Sequence, residues 1–61
     1  KLTSKQERVL KSALELGYFD YPKRVSTEDL SKRLGIAPST LNEILRRAER
    51  RIIKVYFEEA S

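Results

Sequence analysis

The chain has 61 residues and a net charge of +4, with no cysteine, no histidine and only two glycines. These values allow one small domain and exclude disulfides, Cys/His zinc sites, a histidine general base and a glycine-rich phosphate loop. No apolar stretch approaches the roughly 20 residues that span a bilayer, and a cysteine-free chain favours a reducing compartment such as the cytoplasm. The residues supply no nucleophile–base pair, so we expect neither enzyme activity nor a cofactor or metal.

The first predicted helix covers residues 2–17. Thr3 and Gln6 have the spacing of a capping box, in which each side chain binds the backbone N–H of the other residue. Gly17 suits the left-handed conformation that ends a helix. The apolar residues expected to pack at helical spacing are Val9, Leu10, Ala13 and Leu14, with Leu2 or Leu16 at the ends.

Residues 18–25, with the sequence "YFDYPKRV", are predicted to form a loop. Pro22 lacks a backbone N–H and disfavours helical geometry in the residue before it. The loop carries three of the five aromatic residues of the chain. We expect these side chains to cover the core; stacking on nucleic-acid bases is the alternative.

A short second helix is predicted from Ser26, whose side chain is a favoured N-cap. Glu28 and Asp29 fall in its first turn, where the helix dipole favours negative charge. Leu30 and Leu34 lie one turn apart on one face, and Gly35 ends the helix. The segment is therefore an amphipathic helix of about two turns.

The third predicted helix begins at Pro38, a residue favoured in the first turn. The stretch "IIKVYF" near its end also fits a strand, but its apolar residues stay in phase with the helix and no hairpin turn follows. The helix is therefore the better prediction. Its apolar stripe consists of Leu41, Ile44, Leu45, Ala48, Ile52, Val55 and Tyr56.

Together these elements predict an all-α fold: a three-helix helix-turn-helix domain with a long third helix as recognition helix. In such a motif two helices joined by a tight turn share a core, and the second helix enters the major groove. The residues expected to form that shared core are Leu30, Leu34, Ile36, Leu41 and Ile44. Residues 46–54, "RRAERRIIK", carry five basic residues and one acidic residue. This stretch favours a phosphate-facing surface, with a merely solvated helix face as the alternative.

The stretches "LELGYFDYP" and "LGIAPSTLNEILRRAE" resemble the helix-turn-helix domain of the bacterio-opsin activator family of archaeal transcription regulators. The resemblance covers residues 2–53. It implies a C-terminal double-stranded DNA-binding domain, behind an N-terminal sensory or regulatory region of a longer protein. The lack of methionine and the start at Lys1 also indicate a fragment. Two positions depart from the expected pattern: Ser31 stands where alanine is usual, and Ala37 stands where a capping residue is common.

Candidate DNA contacts on the third helix follow from the helical rotation of about 100° per residue, with Leu41 set toward the core. Those outside it lie near the start of the second helix and in the loop before it. The predicted base-reading residues are Ser39, Thr40, Asn42, Glu43 and Arg46. The predicted phosphate contacts are Lys23, Arg24, Thr27, Arg47, Arg50 and Lys54. Two alternatives stay open, since Glu43 can instead pair with Arg47 on the helix surface and Asn42 can be a solvated flank residue.

Ile53 and Phe57 lie one turn apart and point away from the stripe. They predict a contact surface, used for a homodimer that binds half-sites one helical turn apart or, less favoured, for docking against the rest of a longer protein. The alternative is that the helix frays here and both side chains are merely solvated. The alternative function for the whole chain is a three-helix protein-interaction or dimerisation module that does not read DNA.

Overall fold

A computed structural model of the chain describes residues 2–60, with the side chain of residue 60 excepted. Three helices account for most of this part: α1 (Ser4–Glu15), α2 (Thr27–Leu34) and α3 (Pro38–Ala60). The predicted all-α fold with a long third helix is therefore confirmed. The end of α3 is helical, so the strand alternative for "IIKVYF" is wrong. No helix within residues 2–60 has both the length and the apolar character needed to cross a membrane.

The starts of the first two helices are capped as predicted. The Thr3 hydroxyl accepts a hydrogen bond from the Gln6 N–H at 3.1 Å, and the Gln6 side chain accepts one from the Thr3 N–H at 3.1 Å. In α2 the Ser26 hydroxyl accepts from the Asp29 N–H at 3.1 Å. These bonds satisfy backbone donors that a helix otherwise leaves without an internal partner.

The third helix starts without a side-chain cap. Ala37 has no side-chain acceptor, but its carbonyl accepts the Leu41 N–H at 2.9 Å. Pro38 follows it and has no N–H to satisfy. The first turn of α3 therefore forms without the capping side chain that is common at this position.

A left-handed glycine ends α1. Gly17 has a φ of 85°, and its N–H donates to the Leu14 carbonyl at 3.2 Å. The Tyr18 N–H donates to the Ala13 carbonyl at 2.9 Å. This pair of bonds is a Schellman motif, which closes the helix and turns the chain away from its axis.

The same motif ends α2. Gly35 has a φ of 69°, its N–H donates to the Lys32 carbonyl at 3.3 Å, and the Ile36 N–H donates to the Ser31 carbonyl at 3.0 Å. Only Gly35, Ile36 and Ala37 separate α2 from α3. The turn is thus fixed by hydrogen bonds on one side and by a proline on the other.

The core lies where α1 and α2 both pack against α3. Its buried apolar residues are Val9, Ala13, Val25, Leu30, Leu41, Leu45 and Ala48. Partly buried side chains surround them, namely Leu10, Leu16, Tyr18, Leu34, Ile36 and Ile44. The predicted shared core of α2 and α3 is therefore present, with Leu30 and Leu41 at its centre.

Ser31 is buried within this core, where a hydroxyl without a partner would be costly. Its Oγ donates to the Glu28 carbonyl at 2.7 Å, one turn back along α2. The hydroxyl is therefore satisfied inside its own helix. This bond explains how serine replaces the usual alanine without leaving an unpaired polar atom in the core.

Two expectations about packing are wrong. Leu14 is 62% exposed, so it does not belong to the core. Ile52, Val55 and Tyr56 continue the stripe of α3 in phase but are exposed as well. The reason is length: α3 has 23 residues, about 34 Å, and no described residue after Ala48 is buried. The last turns of α3 extend beyond the part of the helix that α1 and α2 cover.

The two glycines give a testable contrast. A Cβ added at Gly35 meets no atom within 4 Å, so only the positive φ opposes alanine there. A Cβ added at Gly17 would lie 2.6 Å from the Cβ of Arg24. We expect Gly35→Ala to lower the free energy of unfolding by about 1 kcal/mol, and Gly17→Ala to lower it by about 1–3 kcal/mol more because of this overlap. Urea denaturation followed by circular dichroism measures both, and equal losses would show that the chain around Arg24 moves aside freely.

Candidate DNA interface

The buried residues of α3 determine which side of its first half faces outward. Leu41 is fully buried and Leu45 is 3% exposed, so the rotation of the helix about its axis is fixed. All five predicted base-reading residues are exposed on α3: Ser39, Thr40, Asn42, Glu43 and Arg46. The structure therefore brings them together on one accessible surface, which we call the reading face.

Glu43, in the reading face, forms an ion pair with Arg47, which lies beside that face one turn further along α3. The Arg47 Nη2 and Glu43 Oε1 atoms are 3.9 Å apart. The two side chains are 71% and 61% exposed. A pair this long and this exposed contributes little to stability. Both side chains can therefore leave the pair for another partner at small cost.

Three basic residues continue along the same side of the helix. Arg46, Arg50 and Lys54 are spaced four residues apart, and together with Glu49 and Ile53 they line a shallow groove on α3. The three charges extend over about 12 Å of helix. This row of charges leads from the reading face toward the end of α3.

The start of α2 is linked to the aromatic loop. The hydroxyl of Tyr18 and the Oγ1 of Thr27 are 3.3 Å apart, within hydrogen-bonding distance. Tyr18 also packs against the core, whereas Phe19 is 42% exposed and Tyr21 fully exposed. The prediction that the loop covers the core is therefore correct for Tyr18 and wrong for the other two aromatic residues.

Lys23 and Arg24, both predicted to contact phosphates, are held by contacts within the loop. The Lys23 Nζ lies 4.3 Å from the centroid of the Tyr18 ring, a cation–π distance. The Arg24 Nε lies 3.2 Å from the Asp20 Oδ2, and the Arg24 side chain is 78% exposed. Both contacts lie in a non-helical loop, where a spacing of four or five residues does not by itself predict that two side chains meet.

The loop also closes on Gly17. The Gly17 carbonyl accepts the Asp20 N–H at 3.2 Å and the Arg24 N–H at 3.0 Å. The two ends of the loop therefore meet at the residue that terminates α1. The Tyr18–Thr27 contact in turn links the start of the loop to the start of α2.

The fold and this surface define the class of protein: a helix-turn-helix domain whose long third helix carries exposed basic residues. A family profile described as a helix-turn-helix DNA-binding domain matches residues 2–54. The chain belongs to this family, the helix-turn-helix domain of the bacterio-opsin activator, as the sequence resemblance predicted. It is a DNA-binding domain of transcription regulators, and the family is not an enzymatic one.

Three relatives are archaeal regulators. A putative transcriptional regulator of Haloferax volcanii is 48% identical over 59 residues, 97% of this chain and 10% of the relative. The bacterioopsin transcriptional activator of Halobacterium salinarum is 34% identical over 95% of this chain and 9% of its own length. The transcriptional regulator NarO of Haloferax volcanii is 34% identical over 87% of this chain and 25% of its own length. The chain thus spans about a tenth of the first two relatives, and no solved structure matches it significantly.

Two tyrosines test the link between the loop and α2. We expect Tyr18→Phe to lower the free energy of unfolding by about 0.5–1 kcal/mol, because the bond to Thr27 is lost while the ring still faces Lys23. Tyr21→Phe is the control, since this residue is fully exposed and should leave stability unchanged. Thermal unfolding of both variants compares them directly. Equal stability of the two variants would mean that the 3.3 Å contact contributes nothing.

Proposed function

We propose that the first half of α3 binds in the major groove of duplex DNA and reads base pairs through the reading face. The observation that carries this proposal is the division of α3 into a buried side at Leu41 and Leu45 and an exposed polar side opposite, in a domain of a DNA-binding family. A major groove about 12 Å wide admits an α-helix. Base contacts in such motifs come mainly from the N-terminal residues of the recognition helix.

The side chains of the reading face match the donors and acceptors of base edges. Arg46 can donate two hydrogen bonds to guanine, and Asn42 can pair with adenine. Glu43 can accept from cytosine once its weak pair with Arg47 opens. Ser39 and Thr40 offer hydroxyl groups that serve as donor or acceptor. In this proposal the domain is sequence-specific, not merely attracted to phosphate.

Phosphate contacts flank the reading face on both sides. Arg47, Arg50 and Lys54 follow it along α3, and Thr27 precedes it at the start of α2. Lys23 and Arg24 lie in the adjoining loop, but their contributions differ. Asp20 partly neutralises Arg24 and would repel a phosphate, whereas the Lys23 ammonium lies over the uncharged ring of Tyr18. We therefore assign the stronger loop contact to Lys23.

The chain functions, in this proposal, as the C-terminal DNA-binding domain of a longer transcription regulator with an N-terminal sensory or regulatory region. The support is the small share of the first two relatives that it spans. Two copies bind one operator, because a single recognition helix covers few base pairs and paired half-sites multiply the affinity.

Fluorescence anisotropy with a labelled random duplex tests DNA binding itself. If the six phosphate candidates all make contact, affinity should fall about a thousandfold between 50 and 200 mM salt. A domain that serves only as a protein-interaction module would show no salt-sensitive binding to duplex DNA.

Three substitutions separate base reading from phosphate contact. We expect Arg46→Ala to cost about 1–3 kcal/mol on a selected site and to relax the preference at one base pair. Lys54→Ala should weaken all sequences about equally and reduce the salt dependence. Arg8→Ala removes the same charge from the exposed surface of α1 and serves as the control, with little expected effect. Binding-site selection with each variant measures the preferences; a sequence-independent loss for Arg46→Ala would assign this residue to phosphate.

A further inference from the structure

The middle of the loop between α1 and α2, residues 20–24, is exposed to solvent and is here called the loop tip. Tyr21 is fully exposed, and Pro22 follows it. The next two residues are the basic Lys23 and Arg24, which line one shallow concave surface together with the rest of the loop tip. Proteins use basic side chains, tyrosine hydroxyls and proline rings on the backbone and in the minor groove of DNA. The loop tip therefore combines residue types that suit a DNA contact.

Hydrogen bonds close the loop tip at its base. The Gly17 carbonyl accepts the Asp20 N–H at 3.2 Å and the Arg24 N–H at 3.0 Å, so both ends of the loop tip meet at one oxygen atom. The side chains of the same two residues form an ion pair, with the Arg24 Nε and Asp20 Oδ2 atoms 3.2 Å apart. Tyr21 therefore projects from a closed loop. Such a loop has less conformational entropy to lose on binding than an open one.

Side-chain contacts connect the loop tip to the start of α2. The Lys23 Nζ lies 4.3 Å from the centroid of the Tyr18 ring, and the hydroxyl of that ring is 3.3 Å from the Thr27 Oγ1. In a helix-turn-helix motif the first helix of the pair, here α2, crosses the DNA backbone while the second lies in the major groove. A backbone strand that borders the major groove borders the minor groove on its other side. The loop tip thus adjoins the element that crosses this strand.

We propose that the loop tip contacts the minor groove of duplex DNA next to the major groove that α3 occupies. The rings of Tyr21 and Pro22 lie against the sugars at the edge of the minor groove, and the Lys23 ammonium faces a phosphate of the strand that α2 crosses. This inference rests on the proposed function, because α3 in the major groove determines where the loop tip falls. It adds a second DNA-binding element, which extends the contact beyond the base pairs under α3.

The charges of the loop tip predict a preference for one kind of flanking sequence. Asp20 partly neutralises Arg24, so Lys23 supplies the excess positive charge. Glu28 and Asp29 follow in the first turn of α2, which places this positive charge on the loop tip and not on the helix. The minor groove of A·T tracts is narrow, and its stronger negative potential attracts basic side chains. We therefore expect tighter binding when A·T pairs flank the base pairs under α3.

Stacking on an unpaired base is the other use of an exposed aromatic ring. The bases of a duplex are stacked on one another, so Tyr21 could reach the face of a base only at an unpaired or flipped nucleotide. A minor-groove contact instead requires a duplex. Competition between a labelled duplex and an unlabelled single strand of the same sequence distinguishes the two uses. We expect the single strand to compete poorly, and competition as effective as that of the unlabelled duplex would overturn the proposal.

Fluorescence anisotropy with two duplexes of equal length tests the contact at the loop tip. Both duplexes carry the same selected site, one with A·T-rich flanks and the other with G·C-rich flanks. The parent chain should bind the A·T-flanked duplex about fivefold more tightly, and Tyr21→Ala should lose most of this preference. Tyr56→Ala is the matched control, because this tyrosine is 66% exposed near the end of α3 and lies outside the loop tip. A parent chain without flank preference, or equal preferences in the two variants, would overturn the proposal.

Hydroxyl-radical footprinting, which cleaves at sugars in the minor groove, separates failure of this inference from failure of the proposed function. The parent chain should protect sugars beside the site of α3, and Tyr21→Ala should lose that protection. If Arg46→Ala weakens binding but the flanking sugars are never protected, the loop contact fails and the proposed function stands. If Tyr21→Ala weakens duplex binding and Arg46→Ala does not, the assignment of the reading face fails and the loop contact stands. A parent chain that binds no duplex overturns both.

Discussion

The left-handed conformation of Gly35 is the constraint on which the rest of this structure depends. Gly35 ends α2, and α3 begins three residues later. This short turn restricts the angle between the two helices. Leu30 and Leu41, one from each helix, are both fully buried at the junction. Since a one-residue rotation of α3 would expose Leu41, the apolar contact fixes which side of α3 faces outward. The reading face is therefore a consequence of core packing, not of its own polar residues.

One helix serves two surfaces in this account. The first half of α3 buries one side and exposes a polar side opposite it, whereas the second half leaves the core and exposes the apolar residues near its end. The basic row from Arg46 to Lys54 connects the two halves. Because α3 is one continuous helix, the distance along its axis between the reading face and the exposed apolar residues near its end is set by the number of residues between them.

Local signals in the sequence were sufficient to predict the three helices and the turn between the last two. The capping box of Thr3 and Gln6, the N-cap at Ser26, the left-handed Gly35 and the first-turn Pro38 each act over a few residues, so the sequence contains all that determines them. The apolar stripe of α3 was a weaker guide, because periodicity identifies a face but not the presence of a neighbour opposite it. The stripe runs to Tyr56, yet burial stops at Ala48, where α1 and α2 no longer cover the helix. The contacts of Lys23 with Tyr18 and of Tyr18 with Thr27 depend on how the loop folds back, which residue spacing does not reveal.

The central claim is that DNA lies against the outer face of the first half of α3. Titration of the ¹⁵N-labelled chain with duplex DNA, followed by ¹H–¹⁵N correlation spectra, tests it residue by residue. The account predicts the largest shifts for the amides of residues 39–46, with a second group at the start of α2 and little change across α1. Unchanged amides at residues 39–46, together with large shifts in α1, would contradict it.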